Sequence, residues 1–178
     1  LEGAEGVQRD RILAYERAMG ELARAHPQDV EARIFYALAI NQTALPTDKT
    51  YAAQLRAAAI LEPLYADYPD HPGLVHYIIH AYDHPPLAAR ALNAARRYAE
   101  LAPSAPHALH MPSHTFSRVG LWRESVATNR LSEESALRNR VPTEALHAMD
   151  YQTYAYLQLG QDGAGRAVLD RLAEVGAA

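Results

Sequence analysis

The chain contains no cysteine, which excludes disulfides, thiolate nucleophiles, cysteine-based zinc sites and sulfur redox chemistry. No stretch approaches the roughly 18–20 uninterrupted apolar residues of a membrane span. We therefore expect a water-soluble protein, cytoplasmic or periplasmic, whose compartment the residues do not reveal. Lys and Arg are scattered and the formal charge is −4, so a nucleic-acid binder that neutralises phosphates is not expected. There is no phosphate-cradling glycine loop and no serine nucleophile elbow, since Gly163-Ala164-Gly165 follows no strand; nucleotide binding and serine hydrolysis drop out with them. The chain opens at Leu1 with neither an initiator Met nor a signal-like apolar run, and we expect a processed or excised piece of something longer.

What is present is helical periodicity, punctuated by proline. His26-Pro27-Gln28-Asp29, Tyr68-Pro69-Asp70-His71-Pro72 and Ala102-Pro103-Ser104-Ala105-Pro106 each close one apolar-periodic helix and open another. Pro69 and Pro103 lie 34 residues apart, the length of a tetratricopeptide unit. A second kind of turn, Gly120-Leu121-Trp122-Arg123-Glu124-Ser125 and Gly160-Gln161-Asp162-Gly163-Ala164-Gly165, uses small residues where paired helices approach. The helices read from this pattern are 9–25, 29–43, 49–67, 72–84, 87–101, 106–119, 121–138, 144–159 and 162–175. Leu55, Ala58, Ala59, Leu61 and Tyr65, and later Leu146, Met149, Thr153, Tyr156 and Leu157, carry the period. The expected architecture is all-α, a single helical-repeat domain over 1–178.

Both glycine turns resemble the Gly-x-aromatic-x-Glu-Ala turn of tetratricopeptide repeats. The strings His76-Tyr77-Ile78-Ile79-His80-Ala81-Tyr82-Asp83 and His107-Ala108-Leu109-His110-Met111-Pro112-Ser113-His114 resemble a histidine-rich bacterial tetratricopeptide family. The resemblance spans about residues 26–175 and implies a right-handed α-solenoid of antiparallel helix pairs, whose first helices line a concave surface that holds a peptide or a partner protein; the polar cluster described next would also suit a small molecule. The resemblance implies no particular activity.

Aligning the units on Pro69, Pro103, Gly120 and Gly160 turns a consistent set of side chains toward that surface. His76, His80, Asp83 and His84 come from one first helix, His107, His110, His114 and Arg118 from the next, and His147, Asp150 and Tyr154 from the third. Seven of the nine histidines, all but His26 and His71, thus share one face. His76 with His80 and His110 with His114 are spaced i, i+4, so each pair can chelate one ion. We expect His80, His110, His114 and His147, with Asp83 or Asp150 completing the shell, to suit zinc, iron, manganese or copper rather than calcium. Tyr77, Tyr82, Tyr151 and Tyr154 are expected to form a wall.

Three readings of the cluster stay open: a metal site, a metal-free polar groove for a peptide or small anion, and structural hydrogen bonding alone. With an open coordination position the metal site would also serve a hydrolase or lyase. The zincin signature is absent, because Tyr77 stands where His-Glu-x-x-His has its Glu. Pro112 is expected to kink or start a helix between His110 and His114, and Pro85-Pro86 to end one helix and begin the next. Trp122 and Phe116 read as core anchors, Arg96-Arg97 and the Arg118, Arg123, Arg130 series as a solvated face, with Arg118 at the groove end placed to meet a carboxylate or phosphate, and 132–140 as an exposed helix end.

Overall fold

The computed structural model describes residues 2–175. Its elements, all helical, are α1 Glu2–Ala25, α2 Val30–Gln42, α3 Ala52–Asp67, α4 Pro72–Ala81, a 3₁₀ turn Ala88–Ala91, α5 Leu92–Leu101, α6 Pro106–His110, α7 Pro112–Arg118, α8 Trp122–Arg138, α9 Pro142–Gln158, α10 Asp162–Asp170 and α11 Leu172–Val175. No strand occurs among the described residues, and none of the described helices is long and apolar enough to cross a membrane. The chain packs as two compact units, Leu1–Ala81 and Tyr82–Ala178.

In the first unit, successive helices pack on one another and α2 also touches α4, the neighbour and next-neighbour pattern of stacked helix pairs. Asp29 starts α2 because its Oδ1 accepts the Ala32 N–H at 3.0 Å, satisfying one of the donors a helix start leaves open. The core stripe follows helical spacing: Ile34, Ala37 and Ile40 from α2, Ala57, Leu61 and Leu64 from α3, Leu74, Val75, Ile78 and Ile79 from α4. Each such Leu or Ile contributes roughly 1.5–3 kcal/mol through burial, and the alanines between them let the axes approach closely.

In the second unit α8 packs against α6, α7 and α9, and α9 against α10. Its end is filled by Ala136, Ala145, Met149, Val168 and Val175, with Leu137 and Tyr156 alongside. Two turns between paired helices depend on glycine: Gly120 has φ +78 and Gly160 φ +66. A Cβ on Gly160 would meet nothing within 4 Å, so this glycine is required for its left-handed backbone, not for the close helix approach expected of it. Gly160→Ala should therefore cost about 1–2 kcal/mol in urea unfolding. Gly163→Ala, at a helical position that is equally open, should be neutral or stabilising; equal losses at both positions would contradict this account.

Several expected boundaries move, each for a local reason. The helix expected over 72–84 stops at Ala81, because Pro85 and Pro86 supply no N–H and Pro85 disfavours the α conformation at His84. A tight turn replaces it: His84 N–H donates to the Tyr82 carbonyl at 2.7 Å, and the His84 carbonyl accepts from Leu87 and Ala88. The helix expected over 106–119 is broken at Met111, where Pro112 has no donor and His114 N–H turns back to the Met111 carbonyl at 3.1 Å. Asp48 organises the turn that leads into α3. Its Oδ1 accepts the backbone N–H and the hydroxyl of Thr50 at 2.8 and 2.6 Å, and α3 opens after Tyr51 at φ 57.

The segment 132–140 is exposed at Glu134 and over 138–140, as expected, but not elsewhere. Ser132, Glu133, Ser135 and Ala136 are buried. The two serine hydroxyls reach the start of α6 and the turn before it: Ser132 Oγ donates to the Pro106 carbonyl at 2.8 Å and Ser135 Oγ to that of Ser104 at 3.0 Å. One turn earlier, Thr128 donates to the Leu109 carbonyl. A polar helix face is thus buried against the start of α6 because that face is what α6 requires.

Candidate metal centre

The site is assembled in the second unit from one loop and four helices. His110 ends α6, His114 sits one turn later on α7, and His147 and Tyr151 lie i, i+4 on α9. Asn129 comes from α8 and Asp83 from the loop that Pro85 and Pro86 create. His110 is buried, His114 half-buried and His147 exposed, and the three offer ring nitrogens that all lie within 4.8 Å of one another. Tyr151 closes the group, its ring 4.7 Å from that of His110 and 5.3 Å from those of His114 and His147.

The hydrogen bonds behind the imidazoles fix which nitrogen faces inward. Asn129 Nδ2 donates to the Ser125 carbonyl at 2.7 Å, which turns Oδ1 toward His110. His110 Nδ1 lies 2.7 Å from that oxygen, so Nδ1 carries the hydrogen and donates it. His114 Nδ1 donates to Asp83 Oδ2 at 2.9 Å, and Arg118 Nε donates to the other oxygen, Oδ1, at 2.9 Å. With both Nδ1 positions protonated, the two Nε2 lone pairs face each other at 3.0 Å. Two lone pairs at that separation repel unless a proton or a cation stands between them. Burial opposes the proton on His110, pushing its pKa down to about 3 although the Asn129 bond acts the other way; the neighbouring His114, His147 and His107 push it down as well.

Asp83 has both oxygens engaged, one on His114 and one on Arg118. Burial raises its pKa, but these two hydrogen bonds and charges outweigh it and hold the carboxyl below its ordinary value. It therefore stands behind His114 as a carboxylate that orients the ring, the outer partner metal-binding imidazoles usually have. Beside His114 lies a cavity of about 260 Å³ lined by Asp83, Ser117, Arg118, Asp150, Tyr151 and Tyr154.

The other residues expected here are placed as follows. His107 is on α6, its ring 6.3 Å from that of His110 and its Nδ1 3.7 Å from Glu144 Oε2. Asp150 and Tyr154 are exposed on the cavity wall, and Trp122 is half-buried with its ring 5.6 Å from that of Tyr154. His84 is half-buried in the loop. Tyr82, expected on the wall, is instead fully buried with Arg90 4.5 Å over its ring; α4 ends just before it, so the helical register that aimed it outward does not apply. His76, His80 and Tyr77 belong to the first unit. Asn129 was not anticipated, because a lone amide on α8 carries no spacing signal; only the packed fold sets it against His110.

Neither a family model nor a curated protein matches the chain. Solved structures do. MamA from AMB-1 superposes with a TM-score of 0.66 at 16% identity, covering 95% of this chain and 97% of that one. MamA from MSR-1 does so with a TM-score of 0.67 at 17% identity, over 95% and 94%. The fold is tetratricopeptide-like. At such identity the likeness extends to the helix-pair arrangement alone, and the chemistry rests on the side chains just described.

Proposed function

We propose that this chain is a tetratricopeptide-like binding protein whose second unit holds a divalent transition metal on His110, His114 and His147. The observation that carries the reading is the orientation of the two rings: their Nδ1 atoms lie 2.7 Å from Asn129 Oδ1 and 2.9 Å from Asp83 Oδ2, which turns the two Nε2 atoms toward each other at 3.0 Å. Ligands bound at about 2.0–2.1 Å to one ion stand roughly 3 Å apart when cis, so His110 and His114 need little movement and the exposed His147 can close the set. Three imidazoles suit zinc, copper or iron(II), and manganese less well. The remaining coordination positions would be left to a ligand entering by the cavity beside His114, where Arg118, Tyr151 and Tyr154 offer a guanidinium and two hydroxyls. A peptide, a partner protein's side chain or a small molecule could meet that description, and the repeat fold supports such use.

The test is elemental analysis of the purified, untagged protein by inductively coupled plasma mass spectrometry. Repeating it on His110→Ala/His114→Ala, with circular dichroism to verify the fold, isolates these ligands. We expect a near-stoichiometric metal that this variant loses. Asp83→Asn, which keeps the three ligands, should weaken binding by about 10–100-fold. Metal retained by the folded double variant would remove the reading.

A further inference from the structure

We propose that His76 and His80 form a second divalent-metal site on α4, a two-histidine chelate that loads independently of the three-histidine set. The geometry is already that of a chelate: the Nε2 atoms are 2.9 Å apart and the ring centroids 4.7 Å apart. Spacing alone would permit the pair to diverge; here it converges. Packing fixes the side of α4 on which both rings stand. Leu74, Val75, Ile78 and Ile79 are buried along one side of α4, which sets the rotation of the helix about its axis and puts positions 76 and 80 together on another side. Tyr77 stacks on His76 with centroids 5.2 Å apart and planes 17° from parallel, restraining one of the two rings. Both imidazoles are half-buried, and so remain within reach of a solvated ion.

The position on the helix favours a cation as well. His80 lies in the last turn of α4, which ends at Ala81, where open carbonyls and the negative end of the helix dipole meet positive charge. Two nitrogen ligands hold an ion less tightly than three, so this site should bind more weakly than the three-histidine set. Imidazole donors point to zinc or copper(II) as its occupant.

Zinc is the probe. The metal-free full chain is titrated with zinc against a chromophoric chelator, in parallel with His76→Ala/His80→Ala, His76→Gln/His80→Gln and His110→Ala/His114→Ala. Thermal melts verify folding, and the glutamine variant guards against an effect of lost volume. We expect two equivalents on the wild type, the weaker one absent or at least tenfold weaker in both His76/His80 variants, and that same equivalent retained by His110→Ala/His114→Ala. Saturation of the wild type at one equivalent that the His76/His80 variants keep, or two equivalents in those variants, would overturn the proposal. Loss of all zinc from folded His110→Ala/His114→Ala would also overturn it, since the sites would not be independent. A single equivalent that depends on His76 and His80 alone would instead uphold this site and remove the three-histidine one.

Discussion

Arg171→Ala should cost about 1–3 kcal/mol of unfolding free energy, the penalty of leaving the buried Glu133 carboxylate without its half-exposed partner. Glu133 has a side chain only 8% exposed. Its two oxygens receive Arg171 Nη2 at 2.9 and 3.1 Å, Arg171 Nε at 3.3 Å and Gln152 Nε2 at 2.7 Å. Without the guanidinium, Gln152 alone must stabilise a carboxylate already removed from water. A variant that deletes both charges, Glu133→Leu/Arg171→Leu, should recover most of the loss, since an apolar pair avoids desolvation altogether. Urea denaturation of the two variants and the wild type checks this. An Arg171→Ala loss under 1 kcal/mol would mean that water reaches Glu133, and would place the pair among weak surface bridges.

Glu133 also marks where sequence reading stopped. The repeat punctuation was legible because proline and glycine act locally: Pro27, Pro69, Pro103, Gly120 and Gly160 constrain their own backbone whatever surrounds them. The i, i+4 histidine pairs were legible for the same reason, since helical spacing puts their side chains on one face, and His110 and His114 still meet across the break at Met111. Ser132, Glu133 and Ser135 were misread as solvent-facing because polarity predicts exposure only until a neighbouring element presents polar groups of its own. The carbonyls of Ser104 and Pro106 and the guanidinium of Arg171 are such groups, and the last comes from 38 residues away. Asp83 was foreseen as a member of the site but not as the partner of His114 and Arg118. That role needs α4 to end at Ala81, and the expected helix ran three residues too far.

The metal-free protein should lose stability as the pH falls from about 6.5 to about 3, and His110 should be responsible. Its folded pKa is depressed to about 3 from the ordinary 6.5, chiefly by burial. Between those values the unfolded chain binds a proton that the folded chain refuses. The contribution of the neutral ring is therefore fully present above about pH 6.5 and declines by up to about 1.4 kcal/mol for each unit below it. Asp83 acts in the same direction at lower pH, because its depressed carboxyl stabilises the fold above its ordinary value of 3.8 and ceases to as it protonates. Other carboxylates also destabilise the protein in acid, so the slope must be compared with that of His110→Gln, which cannot take up the proton. In chelator-treated samples unfolded by urea at pH 7, 6, 5 and 4.5, the wild type should lose stability more steeply than His110→Gln, by roughly 1 kcal/mol per unit below pH 6. Parallel slopes would show that His110 charges in place, with its neighbours or water accommodating the imidazolium, and the lone-pair conflict between His110 and His114 would then be relieved by a proton rather than by a metal.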